Sequence, residues 1–315
     1  MKSLDIVIVN WNSGRDLYYC LQSIIANISA DYLIENVIVV DNASTDGSFK
    51  AAEAVKLPIY LIKNARNLGF AAACNQGARI GSADYILFLN PDIIIFPFSI
   101  NKAINFLEKD DNKNIGIVGI QLINEKNEII RTCARFPNLY YFMIKIMGLD
   151  RLLPGLFKSN TMNEWDHKGS RRVDQVIGAF FLVRRKLFDL LGGFDERFFV
   201  YYEEVDFSYR AYKLGLYSYY LSSARAFHKG GGSSEKIKDL RLYYNLESRI
   251  LYSFKHFNFL SAILILFATV TIELLTRIGW ALLNNRNDNL MITLKGFGLI
   301  WKNLWKLAKK IIILK

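Results

Sequence analysis

The 315-residue chain is short of cysteine and histidine, with three of each, and several common signatures are missing from it. Cys20, Cys74 and Cys133 form neither a metal-ligand spacing nor an even set for disulfides, a usage that suits a reducing compartment. There is no Gly-x-x-x-x-Gly-Lys-Ser/Thr loop, no Gly-x-Gly-x-x-Gly fingerprint and no recognised nucleic-acid motif. A strand-like run begins at Leu4, so no secretory leader is expected ahead of it. Internal repeats and low-complexity tracts are also lacking. What is abundant is apolar surface: 52% of the residues are hydrophobic, enough for one large α/β core with a tail left over.

The first half reads as strands that each deliver polar residues at their ends. Leu4–Val9 is a buried-strand run ending in Asn10-Trp11-Asn12-Ser13-Gly14, and a helical pattern follows from Arg15 to about Ile28. Asn36–Val40 runs into Asp41-Asn42-Ala43-Ser44-Thr45-Asp46-Gly47, a loop rich in helix-capping residues. Two strand-loop-helix units in succession imply a parallel sheet, which binds ligands beyond the carboxyl ends of its strands. Asp41 is therefore placed to accept hydrogen bonds from a base or ribose, or else only caps its turn. Ile59–Ile62 leads through Asn67 and Gly69 into a helix of small residues, Ala71–Ala78, that can approach the sheet or a phosphate closely, or simply pack tightly. Tyr85–Leu89 delivers Asn90-Pro91-Asp92; that carboxylate suits a hard divalent cation, although a turn aspartate explains it as well.

Between Gly192 and Gly215 three carboxylates, Glu203, Glu204 and Asp206, fall within four positions among aromatic residues. Clustered acids in an apolar wall repel one another and are desolvated, which raises their pKa values and favours a general base. The plainer reading is an acidic helix start in which Asp206 pairs with Arg210 one turn on.

Taken in order, these segments resemble the GT-A type inverting glycosyltransferases of family 2, especially the rhamnosyltransferase-like branch. The likeness runs from about Leu4 to Ser234. It is carried by Ile-Val-Ile-Val-Asn-Trp-Asn at 6–12, Asp-Asn-Ala-Ser-Thr-Asp-Gly-Ser at 41–48 and Asn-Leu-Gly-Phe-Ala at 67–71. Leu-Asn-Pro-Asp at 89–92, Gly-Ala-Phe-Phe-Leu-Val-Arg-Arg at 178–185 and the acidic stretch complete it. The resemblance implies an α/β fold, Rossmann-like with a mostly parallel central sheet flanked by helices. It also implies a nucleoside diphosphate sugar donor, linked to uridine or deoxythymidine, with rhamnose as the candidate sugar. Asn10, Asp41, Asn67, Gly69 and Asn90 would contact the donor. Asp92 would hold Mg²⁺ or Mn²⁺, with Asn90 standing where the family's Asp-x-Asp motif has an acid. His228, ahead of the glycines at 230–232, would be a second metal ligand. Glu203 and Glu204 match the family's acidic pair, and Glu204 is the preferred base for a single displacement with inversion. The alternative is a non-catalytic carbohydrate-binding or scaffold protein on the same fold, against which the intact acids argue.

Residues 1–235 are expected to form this catalytic domain, with 236–315 a helical, apolar and basic extension. Within the former, Glu128–Cys133 reads as a strand, Asp174 is placed to line an acceptor pocket, and 136–169 is irregular, an acceptor loop or a membrane-touching insertion. Phe259–Ile272 is almost unbroken apolar sequence, but Glu273 and Arg277 follow, so a helix in the membrane interface or on a partner is expected rather than a simple span. From Leu290 onward, tryptophans and lysines interleave at helical spacing, the composition of an interfacial helix on anionic lipid. The net charge of +11 is thus assigned to an anionic membrane surface and not to nucleic acid. The acceptor is expected to be a glycan or lipid-linked, and the enzyme to work at the cytoplasmic face of the cell membrane.

Overall fold

The computed structural model describes residues 1–230 and 237–312. Strands form at β1 (Lys2–Asn10), β2 (Tyr32–Asp41), β3 (Ile59–Lys63), β4 (Tyr85–Leu89), β5 (Ile93–Ile95) and β6 (Ile115–Ile123). They continue with β7 (Ile129–Ile130), β8 (Cys133–Ala134), β9 (Arg171–Val173), β10 (Gln175–Val176), β11 (Phe180–Arg184) and β12 (Tyr217–His228). The helices are α1 (Asp16–Ile25), α2 (Ala51–Ala54), α3 (Phe70–Ala78), α4 (Ser99–Leu107), α5 (Leu139–Met147), α6 (Leu149–Leu152) and α7 (Arg185–Leu190). After these come α8 (Glu203–Lys213), α9 (Lys238–His256), α10 (Phe259–Val270), α11 (Ile272–Leu283), α12 (Asn287–Lys302) and α13 (Leu304–Ile312).

Two compact units result, Met1–Arg135 with Glu164–Glu196 and Glu203–Ser233, and Phe136–Asn163 with Arg197–Tyr202 and Ser234–Lys315. The division differs from a single cut after residue 235, because α5 packs with α10 and α11 and carries α6 with it.

In the first unit the main sheet has the order β3-β2-β1-β4-β11-β6-β12-β5. The strands β3, β2, β1 and β4 are parallel, as the repeated strand-loop-helix units require. The other half is mixed, because β11 enters antiparallel between β4 and β6. The expected strand over 128–133 breaks into β7 and β8, which pair with β6 and β10 respectively, so one continuous element becomes two short ones. Alternate residues of the sheet then bury on opposite faces. Leu4, Ile6 and Ile8 of β1 pack with Leu17, Leu21 and Ile24 of α1 and with Ile100 and Ile104 of α4. On the other face α3 comes so close that a Cβ on Gly77 would stand 2.5 Å from Val7 Cγ1 and 3.2 Å from Val40 Cγ2. The small-residue helix therefore serves close packing against the sheet.

The second unit is helical. Leu246 of α9 packs on Phe297 and Ile300 of α12, and Gly296 lets α12 approach, since a Cβ there would lie 2.9 Å from Leu242 Cδ2. At its centre Arg249 and Glu273, 1% and 2% exposed, form a buried ion pair that Arg277 joins at 2.9 Å. Residues 259–283 are long and apolar enough to cross a membrane, with mean hydropathy 2.2 and 28% buried. The single helix expected from Leu290 onward breaks at Asn303 into α12 and α13. Phe297, Ile300 and Leu307 face inward, while Trp301 and Trp305 are exposed.

Gly77→Ala forces two β-branched side chains to move and is expected to cost about 1–3 kcal/mol. Urea unfolding monitored by circular dichroism measures it; an unchanged midpoint would contradict the close contact.

Candidate active site

Four clusters of polar side chains gather on the first unit. Asn10 ends β1 and Asp41 ends β2, paired in register. Asn10 is completely buried and Asp41 is 4% exposed. The amide nitrogen Nδ2 of Asn10 lies 2.7 Å from Asp41 Oδ1, 2.9 Å from Ser48 Oγ and 3.1 Å from Ser44 Oγ; its two hydrogens serve two of these at a time. The backbone N–H of Ser44 donates to Asp41 Oδ2 at 3.2 Å. Asp41 thus organises its own loop and keeps lone pairs for a further donor.

The next residue, Asn42, connects this edge to the start of α3. Its Nδ2 donates to Asn67 Oδ1 at 2.8 Å and to the Gly69 carbonyl at 3.1 Å, and its Oδ1 accepts from the Leu68 N–H at 3.0 Å. Gly69 has φ +92° and ψ 165°, a backbone conformation that in practice only glycine takes. Sequence reasoning noted Asn67 and Gly69 but missed Asn42, whose clue was a second polar residue directly behind Asp41 at a strand end.

The third cluster comes from opposite sides of a strand pair. Because β5 lies antiparallel to β12, Ile93 faces His228, and Asp92, one residue before Ile93, meets the imidazole. His228 Nε2 is 3.3 Å from Asp92 Oδ2, and among the described residues the buried His228 Nδ1 has no hydrogen-bond partner. His228 is the last residue of β12, ahead of the expected glycine loop, of which Gly231 and Gly232 lie outside the described residues. The Lys229 N–H donates to the Asp92 carbonyl at 3.3 Å, and Lys229 Nζ reaches Asp16 at 3.0 Å. Asn90 is held only through its backbone, its N–H donating to the Ala179 carbonyl at 3.0 Å, and its amide is left half-buried. Among the described residues no group of three or more metal-ligating side chains occurs. A cation would therefore take Asp92 and His228 and complete its shell with water and phosphate oxygens, as hard divalent ions commonly do. An acceptor-rich pair with an orphaned imidazole nitrogen fits such an ion.

The fourth cluster is the acid pair opening α8. Asp206 separates from it: fully buried, it binds Arg210 Nε at 2.8 Å, while the other guanidinium nitrogens of Arg210 donate to the Leu191 and Gly193 carbonyls. The i,i+4 pairing expected for Asp206 is present and structural. Glu203 is 4% exposed and Glu204 is half-buried, yet the Oε2 atom of each is enclosed with no hydrogen-bond partner among the described residues. Burial first, and then the charge of Glu204, raises Glu203 well above the ordinary carboxylate range. Burial pushes Glu204 up to about 7. The thiol of Cys74 on α3 is raised as well, by burial and then by the charges of Glu203 and Glu204, which places the acids near that helix.

Tight anchoring fixes this end of α8. Asn75 Nδ2 donates to the Phe194 carbonyl at 2.8 Å while the Phe194 N–H returns to Asn75 Oδ1 at 2.9 Å. Gly193, at φ +79°, is required there, since a Cβ would come 2.6 Å from Asn75 Oδ1. Phe194 and Phe207 join Phe88, Phe181 and Phe188 in a stack of rings with centroids 4.9–6.5 Å apart. Asn75 carried no motif, and its only sequence signal was an amide inside a run of small residues.

Topology brings the clusters to one edge. β12 is parallel to β6, and β6 shares the direction of β4, both being antiparallel to β11. Asn10, Asp41, Asp92 and His228 therefore all lie beyond carboxyl ends. α8 turns through residues 214–216 directly into the start of β12 and packs on it, so its N-terminus, with Glu203 and Glu204, points back to the edge where His228 sits. Asp174, by contrast, lies between β9 and β10.

Comparison with known proteins shows the family and the fold. The family model described as glycosyl transferase family 2 matches residues 5–191. An N-acetylglucosaminyl-diphospho-decaprenol L-rhamnosyltransferase of Mycobacterium tuberculosis is 28% identical over 71% of this chain and 75% of that protein. The rhamnosyltransferase WbbL of Escherichia coli K12 is 24% identical over 78% and 92%. Among solved structures, a mannosyltransferase from Pyrobaculum calidifontis in complex with GDP-Man and Mn²⁺ superposes with a TM-score of 0.54 at 15% identity, covering 96% of this chain and 87% of that one. The fold is of the GT-A type.

The folded state holds protons on Glu203 and Glu204 at pH values where an unfolded glutamate, near 4.5, has lost them. Their contribution to stability is therefore present at low pH and is lost as pH rises above 4.5, through about 7 for Glu204 and in the same direction for Glu203. Melting temperatures of the wild type and of Glu203→Gln/Glu204→Gln should converge in acid and diverge in the variant's favour above neutrality; parallel curves would refute the raised values.

Proposed function

We propose that this chain, which belongs to glycosyl transferase family 2, moves a sugar from a nucleoside diphosphate to a hydroxyl of a lipid-linked glycan, inverting the anomeric carbon. The observation that carries the reading is the acid pair at the head of α8, one member pushed up to about 7 and still reachable, on the edge that also holds Asp92 and His228. A base with a pKa near the working pH is the most effective proton acceptor.

Glu204 takes the proton of the acceptor hydroxyl as that oxygen attacks the anomeric carbon, and the bond to the diphosphate breaks on the opposite face. Glu203 stays protonated beside it and supports Glu204 as the base by keeping a second negative charge out of the wall. Asp41, through its remaining lone pairs, and Asn10 hold the nucleoside, with Asn67, Gly69 and the free amide of Asn90 lining the path to the phosphates. Asp92 and His228 would hold Mg²⁺ or Mn²⁺, which when bound neutralises the charge left on the departing diphosphate. The two rhamnosyltransferase relatives favour rhamnose on a deoxythymidine or uridine diphosphate, and the name of the mycobacterial protein favours a diphospho-polyprenol acceptor. The exposed apolar surface of α10 and α11, with Trp301, Trp305 and the lysines of α12 and α13, supports attachment to an anionic membrane at its cytoplasmic face.

Thermal-shift screening of nucleotide sugars with and without Mn²⁺ should give a donor-specific, metal-enhanced stabilisation; no shift with any donor would favour a non-catalytic binding role. Glu204→Gln should lower transfer by roughly 10² to 10⁴ with donor binding retained. In the wild type kcat/KM should climb with pH through about 7 as Glu204 deprotonates. Normal turnover by the variant, or a pH-independent rate, would remove Glu204 from the base role.

A further inference from the structure

Away from these residues, the second unit contains a cavity of about 430 Å³ among α6, α11 and the start of α12. Arg151, Arg277 and Arg286 line it together with Trp280 and Asn289, and no acid does. Arg277 shares its partner: Glu273 is bound by Arg249 as well, so two guanidinium groups divide one carboxylate. Among the described residues the side chains of Arg151 and Arg286 make no ion pair or hydrogen bond. Arg286 and Asn289 flank the N-terminal turn of α12, a sixteen-residue helix whose first N–H groups no side chain caps. Glu273 pairs with Arg277, and Asp288 stands in the first turn of α12 outside the lining, so the three arginines exceed the acids at the cavity; surplus positive charge at a helix start is the chemistry of a phosphate site.

The surroundings narrow the ligand. Leu152 and Leu153 follow Arg151, and Leu282 and Leu283 follow Ala281 of the cavity wall; all four leucines are exposed. Trp280 in the lining is a residue type that settles at the boundary between headgroups and hydrocarbon. We propose that this cavity binds the phosphate group of a membrane lipid, with the lipid's apolar chain lying over the neighbouring leucines. The chemistry is shared by a polyisoprenyl diphosphate and by an anionic phospholipid. The inference deepens the lipid-linked reading given above, and its test is scored by binding rather than transfer so that each can fail alone.

The full chain is sedimented with neutral phosphatidylcholine vesicles carrying a polyisoprenyl diphosphate, or phosphatidylglycerol, at a density too low to charge the surface. Wild type should bind at least one of the two, and Arg151→Gln/Arg286→Gln should bind it roughly thirtyfold more weakly, the weight of two basic residues at a lipid phosphate. Lys56→Gln/Lys109→Gln, equal in charge but exposed on the first unit, should bind as wild type. Preference for the diphosphate identifies the acceptor as the ligand; equal binding identifies any lipid phosphate. Equal loss in both double variants, no loss in the arginine variant, or no binding by the wild type would overturn the site. Donor-induced thermal shift of the arginine variant should match wild type, which checks its fold and reads the nucleotide site independently.

Discussion

Two neighbouring carboxyl groups enclosed without a cation cannot both ionise, and holding them so requires a rigid surround. Left on a pliable segment, Glu203 and Glu204 would turn toward water and recover ordinary acidity. What prevents this lies behind them. Asn75 and Phe194 exchange two hydrogen bonds, Arg210 ties Asp206 to the Leu191 and Gly193 carbonyls, and a cluster of phenylalanines presses α8 onto the sheet. The third acid of the cluster is thereby tied into support, while the other two keep a carboxyl oxygen without a hydrogen-bond partner among the described residues.

The mixed half of the sheet has a comparable role for Asp92 and His228. A wholly parallel sheet would place a new loop after every strand. Here β11 runs backward, so its entry at Ala179 meets Asn90, and β12 ends where β5 begins. Asp92 and His228, distant in sequence, are joined by the register of one short strand pair. The second unit follows different rules, with a buried ion pair at its centre and apolar surface outside.

Much of this was legible in the residues alone. The run of apolar strands ending in Asn10, Asp41 and Asp92 announced the sheet and the polar edge at which these side chains gather, because buried parallel strands leave few other places for polar residues than their ends. The acid cluster announced a perturbed pair. Less legible were features set by tertiary partners. Nothing local separated Asp206 from Glu204 until the Arg210 hydrogen bonds were seen, and Asn42 and Asn75 carry no periodic signal. Residues 128–133 read as one strand because β-propensity does not record that β6 and β10 each claim only part of it. Residues 136–169 read as irregular because the apolar face of α5 within them is completed by α10 and α11, more than a hundred residues later.

Cys20, Cys74 and Cys133 are all buried, and burial pushes the Cys133 thiol up to about 12 and raises the other two. Thiolates are the reactive form, so the native chain should be almost inert to alkylating reagents while folded. A single cysteine introduced on an exposed turn would consequently accept a fluorophore or spin label selectively, with no need to strip the natural thiols from the core first.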